Sequence, residues 1–150
     1  MKILLLDNIR SMQNVGALFR NADGSGFQKI FLTGCTPTPP RKEISKTALG
    51  GEKSIDWEYY SSAQECLRYI KKSGFTIYSI ELDEKSIDYK NLYNNTPLNI
   101  CLILGNEING VQRTLLDESD EIVMIPMLGK KESLNVSVAG GIVMYATVNT

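Results

Sequence analysis

The amino-acid sequence predicts an α/β domain in which helices flank a mostly parallel sheet. Apolar runs of strand length alternate along the chain with segments of helical periodicity, a pattern typical of domains with parallel sheets. With 150 residues, 43% of them hydrophobic, the chain can bury one continuous core. No internal repeat, low-complexity tract or linker divides it, so we expect a single domain over residues 1–150.

Apolar runs and glycine stops predict the N-terminal elements. Lys2–Asp7 is a run of strand length, and a helix is predicted from about Asn14 to the glycines at Gly24 and Gly26. Lys29–Thr33 is the next predicted strand. The chain therefore begins with a strand, a helix and a second strand.

The middle of the chain begins with residues 34–51, which are too rich in Pro and Gly for a long regular element. We predict a loop of functional length there. Ser62 and Glu65 form a capping box, and apolar residues at helical spacing follow until Gly74. Further strands are predicted at residues 76–82, 98–104 and 121–125, with a short helix at residues 113–118.

The last predicted helix, residues 135–148, is apolar on almost every side. A helix of this kind must be covered around most of its circumference, and a partner subunit could supply part of the cover. Residues 86–97, between two predicted strands, are interpreted as a polar connection.

Composition excludes several kinds of site. The chain has no histidine, which excludes Ser-His and Cys-His catalytic pairs. Cys35, Cys66 and Cys101 are odd in number and far apart, so we expect small buried hydrophobes and neither disulfides nor a metal site. No run is long and apolar enough to span a membrane, and the start does not match a signal peptide, so we expect a cytoplasmic protein. The net charge of −1 provides no general attraction to nucleic acid.

Three segments rich in glycine and polar residues stand at the ends of predicted strands, where parallel sheets bind ligands. They are residues 14–20, 104–111 and 125–139. None matches a common nucleotide pattern, because no Lys-Ser/Thr pair follows Gly110 and Lys29 stands where a dinucleotide fingerprint needs glycine. Neither ATP nor NAD is therefore indicated.

Taken in order, the three segments resemble the motifs of the SPOUT class of methyltransferases, specifically the SpoU/TrmH branch that methylates ribose 2′-hydroxyls of RNA. The first motif, Asn-x-Gly-x-x-x-Arg, matches Asn14, Gly16 and Arg20. The second motif, Gly-x-Glu-x-x-Gly, matches Gly105, Glu107 and Gly110. The third motif is the most specific and matches residues 125–139, IPMLGKKESLNVSVA. Together the matches cover nearly the whole domain.

The resemblance implies a deep trefoil knot in the C-terminal third and a homodimer. It also implies transfer of a methyl group from S-adenosylmethionine to tRNA or rRNA. The residues that it assigns to cofactor binding are Leu104, Gly105, Asn106, Glu107, Gly110, Ile125, Met127, Leu134 and Asn135. The residues that it assigns to catalysis are Arg20, Asn14, Glu107, Ser133 and Asn135.

The chemistry of arginine restricts the role of Arg20. A guanidinium is effectively never deprotonated in proteins, so Arg20 is a poor general base. We expect it instead to bind the phosphate beside the target ribose and to stabilise the developing alkoxide, in its own subunit or in the neighbouring one.

Judged without the motifs, several of these residues have simpler explanations. Asn14 and Ser133 are equally well explained as helix caps, and Glu107 is better explained as an ordinary exposed carboxylate. The glycines are better explained as tight turns, and the apolar wall residues as core. Only the occurrence of all three motifs in order favours a functional site.

The expected RNA contacts are the densest basic positions near the predicted site, although solvated surface residues explain any single one equally well. The loop predicted at residues 34–51 is the best candidate for contact with the RNA backbone. The positions are Arg10, Arg41, Lys42 and Lys46, with Lys53, Lys130 and Lys131 as further candidates.

Two other functions remain open. The main alternative is a catalytically silent, knotted dimer that binds RNA or senses a ligand. A nucleotide-binding α/β domain of unrelated function would need a phosphate loop or dinucleotide fingerprint that the chain lacks. Because the first motif begins soon after the start, we expect a catalytic domain without an N-terminal RNA-binding extension.

Overall fold

Seven parallel strands form one sheet in the computed structural model, which describes residues 1–149. In chain order they are β1 Lys2–Asp7, β2 Lys29–Thr33, β3 Asp56–Tyr60, β4 Thr76–Ile80, β5 Ile87–Asp88, β6 Ile100–Gly105 and β7 Glu121–Met124. Their order across the sheet is β3-β2-β1-β6-β4-β7-β5. The predicted α/β class with a mostly parallel sheet is confirmed.

Six helices and one 3₁₀ turn connect the strands within residues 1–149. They are α1 Met12–Ser25, α2 Lys42–Ala48, α3 Gly51–Ser54, α4 Ala63–Lys72, α5 Arg113–Asp117, α6 Val136–Ala146 and the 3₁₀ turn Tyr89–Leu92. Helices α1, α2 and α6 pack on one face of the sheet, and α4 and α5 pack on the other. In this part of the chain, no helix is both long enough and apolar enough to cross a membrane.

The central strands β1 and β6 are buried on both faces. Leu4 and Leu102 pack in the apolar cluster that contains α1 and α6, whereas Ile3 and Cys101 pack in the cluster that contains α4 and α5. Successive side chains of a strand point to opposite faces of the sheet. Covering both faces therefore requires the uninterrupted apolar runs that predicted these strands.

Two glycines let α1 lie close to its neighbours. A Cβ at Gly16 would lie 2.2 Å from the carbonyl oxygen of Ile44 in α2. A Cβ at Gly140 in α6 would lie 2.7 Å from Cδ2 of Leu18. Both distances are too short for a methyl group, so these helix contacts depend on glycine.

Helix α6 is only partly covered within one chain. Val143 and Met144 are fully buried, but Val138 is 50% exposed and Tyr145 is 56% exposed. The sequence predicts that cover is needed on most sides, and residues 1–149 supply it on one side only. The exposed side remains available to another molecule.

The structure contains two strands that the sequence does not predict. β3 reads DWEYY and is mostly exposed, so no apolar alternation marks it. β5 has two residues and lies in the segment interpreted as a polar connection. Both strands form edges of the sheet, where partial burial leaves the weakest sequence pattern.

The prediction of a loop at residues 34–51 is partly wrong, because the segment contains α2 and the start of α3. Ile44 and Ala48, four residues apart, are buried in the cluster that contains α1. Two apolar positions at helical spacing stabilise this short helix in spite of the surrounding Pro and Gly.

Helix α1 begins at Met12 rather than near Asn14, because Ser11 is its N-cap. It ends at Ser25, and Gly26, its C-cap, has a left-handed φ of 77°. Gly24 lies inside the helix. The ends of the other predicted helices and strands agree with the structure to within two residues.

Two of the three cysteines, Cys66 and Cys101, are buried. Burial raises the pKa of the Cys66 thiol to about 12, and it raises the pKa of Cys101 as well. The prediction of burial is wrong for Cys35, which is exposed. Cys35 lies in the turn that follows β2, where its backbone N–H donates to Oδ1 of Asn8 at 2.9 Å.

Candidate functional site

A cavity of about 440 Å³ lies at the carboxyl ends of β4, β6 and β7. These strands are neighbours in the sheet and run in the same direction, so their ends meet at one edge. The lining residues fall within residues 80–82, 104–110 and 124–127, which follow the three strands, and within residues 132–139 at the start of α6.

All the residues that the resemblance assigns to cofactor binding line this cavity. Their binding role stays a prediction, but the fold brings them together from two distant segments of the chain. Ser133 also lines the cavity, whereas Asn14 and Arg20 do not. The assigned residues are Leu104, Gly105, Asn106, Glu107, Gly110, Ile125, Met127, Leu134 and Asn135.

The sequence analysis missed the part of the cavity that follows β4. Ile80, Glu81 and Leu82 line it. Oε2 of Glu81 accepts a hydrogen bond from the backbone N–H of Val111 at 3.0 Å, which joins the end of β4 to the segment after β6. The sequence does contain an indication of this part of the site, because Glu81 lies at the carboxyl end of a predicted strand, where parallel sheets bind ligands.

The loop after β6 is held in one conformation by Asn106. Its Oδ1 accepts from the backbone N–H groups of Ile108 and Asn109 at 2.9 and 3.0 Å, and its backbone pairs with Gly110. A Cβ at Gly105 would lie 2.2 Å from the carbonyl carbon of Gly110. The glycine at position 105 therefore lets the loop fold back on itself.

Glu107 connects this loop to the start of α1. Its carboxylate accepts from the backbone N–H groups of Arg10 and Ser11, both at 2.9 Å, and from Nδ2 of Asn14 at 3.2 Å. Burial raises the pKa of Glu107, but the hydrogen bonds lower it further, so the pKa lies below its ordinary value. Glu107 is exposed, but it is not an ordinary surface carboxylate, because it satisfies donors at a helix N-terminus.

Asn135 connects the start of α6 to the same point. It is the N-cap of α6, since its Oδ1 accepts from the backbone N–H groups of Ser137 and Val138 at 2.9 and 3.3 Å. Its Nδ2 donates to Oδ1 of Asn14 at 3.2 Å. A chain of hydrogen bonds from Asn135 through Asn14 to Glu107 therefore links all three motifs.

The two caps proposed from sequence alone are wrong. Ser11, not Asn14, caps α1, because its Oγ accepts from the backbone N–H of Asn14 at 3.2 Å. Asn135, not Ser133, caps α6. Ser133 is exposed on the cavity and makes no hydrogen bond to residues 1–149.

Arg20 lies on a different side of α1 from Asn14. It is one helical turn after Gly16, on the side that packs against α2, and a Cβ at Gly51 in α3 would lie 3.1 Å from its backbone nitrogen. The Arg20 side chain is exposed and makes no hydrogen bond or ion pair within the described residues. One chain alone does not place Arg20 in the cavity.

The basic residues predicted to contact RNA are exposed. None of them forms an ion pair within residues 1–149, whereas the ion pairs found there use Lys29, Lys71 and Arg113. Three of them stand on α2 or at its N-cap, in the segment that follows the carboxyl end of β2. The exposed residues are Arg10, Arg41, Lys42, Lys46, Lys53, Lys130 and Lys131.

The charged side chains on the cavity are all acidic. Glu81, Glu107 and Glu132 line it, and no lysine or arginine does so among the described residues. Residues 1–149 contain no group of three acidic, histidine or cysteine side chains that could hold a metal ion.

The chain is similar in sequence to RNA methyltransferases. The 23S rRNA (guanosine-2'-O-)-methyltransferase of Xanthomonas axonopodis pv. citri is 30% identical over 150 residues, which cover 97% of this chain and 57% of that protein. The tRNA (guanosine(18)-2'-O)-methyltransferase of Thermus thermophilus is 30% identical over 142 residues, which cover 95% of this chain and 71% of that protein. The chain thus spans 57% of the length of the first relative and 71% of the second.

The fold and the family model agree with this similarity. An AdoMet-bound rRNA methyltransferase from Sinorhizobium meliloti has a TM-score of 0.90 and 27% sequence identity, and the match covers 97% of this chain and 55% of that chain. The model of the SpoU rRNA Methylase family matches residues 1–145. The chain therefore belongs to the SpoU rRNA methylase family.

Proposed function

We propose that this protein transfers a methyl group from S-adenosylmethionine to a ribose 2′-hydroxyl of tRNA or rRNA. The observation that carries the proposal is the cavity at the ends of β4, β6 and β7. Two of the three motifs line this cavity, and the first is joined to both by the hydrogen bonds of Asn14. The activities for which the Xanthomonas and Thermus relatives are named support it.

The residues of the cavity fit S-adenosylmethionine. Apolar side chains such as Leu104 and Ile125 suit an adenine ring, and Asn106 and Asn135 bring polar groups to the same cavity. The cavity has the size of a small-molecule site, and its carboxylates suit a ligand that carries positive charge. We propose that the donor binds here, as AdoMet binds to the Sinorhizobium protein.

The reaction needs orientation and removal of a very weakly acidic proton. The bound donor supplies an electrophilic methyl carbon. The bond from carbon to the ribose oxygen forms as the bond from carbon to sulfur breaks, and sulfur keeps the electron pair. We propose that Arg20 binds the adjacent phosphate and stabilises the negative charge on the oxygen, while the 2′-hydroxyl proton leaves to phosphate or water. Arg20 keeps its own proton throughout.

We further propose a homodimer in which Arg20 acts at the cavity of the partner. Two observations support this arrangement: Arg20 does not line the cavity of its own chain, and one side of α6 is exposed. Mixing Arg20→Ala protein with Leu134→Lys protein, which places a positive charge in the apolar wall against the cationic donor, tests it. After subunit exchange, methyl transfer should return to roughly a quarter of the wild-type rate, because half the dimers hold one intact composite site. Arg20 acting in its own subunit would give no recovery.

Three finer features of the family complete the proposal. Residues 1–150 act as one catalytic domain whose C-terminal third forms a trefoil knot, as the resemblance to the SPOUT motifs implies. The protein is proposed to work in the cytoplasm, which agrees with the RNA-modifying activities for which its relatives are named. Its RNA contacts are the exposed cations Arg10, Arg41, Lys42 and Lys46, which form no ion pair within residues 1–149.

A titration of the purified protein with S-adenosylmethionine tests the cavity as the donor site. Leu134 lines the cavity, whereas Leu128, six residues earlier, is 97% exposed and does not. Leu134→Ala should weaken binding by about tenfold, because it removes about 1.4 kcal/mol of apolar contact, and Leu128→Ala should change it less than twofold.

Methyl transfer to tRNA and rRNA transcripts, read by nucleoside analysis, tests the reaction itself. A 2′-O-methyl nucleoside that depends on Arg20 is the expected product. A folded dimer that binds the donor and methylates neither RNA would contradict the enzyme proposal and favour the silent RNA-binding alternative. Equal effects of the two leucine variants would place the donor elsewhere.

A further inference from the structure

The cavity carries a one-sided charge. Its lining includes Glu81, Glu107 and Glu132 and, among the described residues, no cation. Each carboxylate comes from a different segment, at the end of β4, in the loop after β6 and before α6. Glu107 belongs to the motif Gly-x-Glu-x-x-Gly and Glu132 lies within the third motif, whereas Glu81 lies outside all three motif segments.

The three carboxylates are held to different degrees. Glu81 and Glu107 accept hydrogen bonds from backbone N–H groups, which fix their position beside the cavity. The same kind of contact lowers the pKa of Glu107, so this group is anionic at neutral pH. Glu132 is exposed on the rim and makes no hydrogen bond to residues 1–149. Glu132 is therefore the carboxylate that can be changed with the least effect on the fold.

We propose that these carboxylates make the cavity select the methyl donor over its demethylated product by charge, an inference that rests on the proposed function. S-Adenosylmethionine carries a sulfonium, an ammonium and a carboxylate, for a net charge of +1. Loss of the methyl group leaves a neutral thioether, so the product S-adenosylhomocysteine has a net charge of zero. An anionic cavity attracts the first ligand and has no net attraction for the second.

The consequence concerns release of the product. As the carbon–sulfur bond breaks, sulfur takes the electron pair and the ligand loses its positive charge inside the cavity. The carboxylates then face a ligand without net charge, which weakens binding and favours exchange of the product for new donor. Glu81 and Glu132 thus act as specificity residues for the ligand charge rather than as catalytic residues.

The test compares three ligands by titration calorimetry of the intact protein. They are S-adenosylmethionine, S-adenosylhomocysteine and sinefungin, in which an ammonium group replaces the charged methylsulfonium. The wild type should bind both cationic ligands at least about tenfold more tightly than the neutral product, since three carboxylates contribute. Raising the salt concentration should reduce this preference, because it screens charges at an exposed rim.

Substitutions then locate the charge. Glu132→Gln should reduce the preference by about threefold, and Glu81→Gln should reduce it by more, since its side chain is less exposed. The amide oxygen of Gln can accept from only one of the two backbone donors, Leu82 and Val111, so the folding of this variant is checked by circular dichroism. Glu121→Gln, at the opposite end of β7, is the matched control and should leave the preference unchanged.

The possible outcomes separate this inference from the proposed function. Equal affinity of the wild type for donor and product would overturn the inference while leaving the donor site intact. A preference that neither Glu81→Gln nor Glu132→Gln reduces would overturn the role of the carboxylates. Failure of all three ligands to bind a folded protein would contradict the proposed function itself, and the inference with it.

Discussion

Replacing Glu107 with alanine should destabilise the fold. The variant loses the carboxylate that accepts hydrogen bonds from the residues at the start of α1. The carboxylate accepts hydrogen bonds from the backbone of Arg10 and Ser11 and from the side chain of Asn14. Each hydrogen bond contributes roughly 0.5–1.5 kcal/mol, and water can partly replace an exposed acceptor, so we expect a total loss of about 2 kcal/mol. For a domain of this size, that loss corresponds to roughly 4–8 °C in Tm.

Glu107→Gln removes the charge and one of the two acceptor oxygens, and the pH dependence of its effect isolates the contribution of the charge. Because the folded-state pKa of Glu107 lies below its ordinary value, ionised Glu107 stabilises the folded chain. This stability is fully present above the unfolded pKa of about 4.3 and is lost as the pH falls through the lower folded value. The difference in unfolding free energy between the wild type and Glu107→Gln should therefore be largest near neutral pH and should shrink below about pH 4.

Urea unfolding followed by circular dichroism, at neutral pH and at about pH 3.5, measures both effects. Glu84→Ala is the matched control, since Glu84 is exposed and makes no hydrogen bond to residues 1–149. It should change the unfolding free energy by less than about 0.5 kcal/mol. An equally small change for Glu107→Ala, or a difference for Glu107→Gln that does not depend on pH, would refute the reasoning.

Two further predictions concern glycine and cysteine positions. Gly105→Ala should destabilise the protein by about 2 kcal/mol in the same urea assay, because its Cβ would lie 2.2 Å from backbone, whereas Gly129→Ala meets nothing within 4 Å and should be neutral. A stable Gly105→Ala variant would show that the loop can open without cost. A thiol reagent applied to the native protein should modify Cys35 and leave Cys66 and Cys101 unreacted, since burial raises the pKa of both latter thiols. Modification of all three at similar rates would contradict the described core.

The parts of the fold that could be predicted from sequence are those buried on both faces of the sheet. β1 and β6 are uninterrupted apolar runs because helices cover them from both sides. β3 could not be predicted, because its DWEYY sequence lies exposed at an edge and its position is set by hydrogen bonds to β2. Helix α2 could not be predicted either, because Pro and Gly surround it and only Ile44 and Ala48 form its buried side.

The candidate site shows the same division. The residues that line the cavity could be predicted, because the resemblance to the family's motifs assigns them. The chain of hydrogen bonds from Asn135 to Glu107 could not, since it joins side chains that are far apart in sequence. The position of Arg20 follows from helix geometry alone, because six residues after Asn14 correspond to about 240° around α1 and turn the side chain away.

The place of β6 between β1 and β4 determines when the sheet can form during synthesis. A ribosome that has released residues up to 99 has exposed β1, β2 and β3, which can pair with one another, but it has released neither neighbour of β4. Until residues 100–105 emerge, the apolar strand β4 has no partner in the native order, and the nascent chain exposes it to chaperones and to other chains. Arrest or truncation before this point would therefore leave an aggregation-prone strand rather than a smaller folded unit.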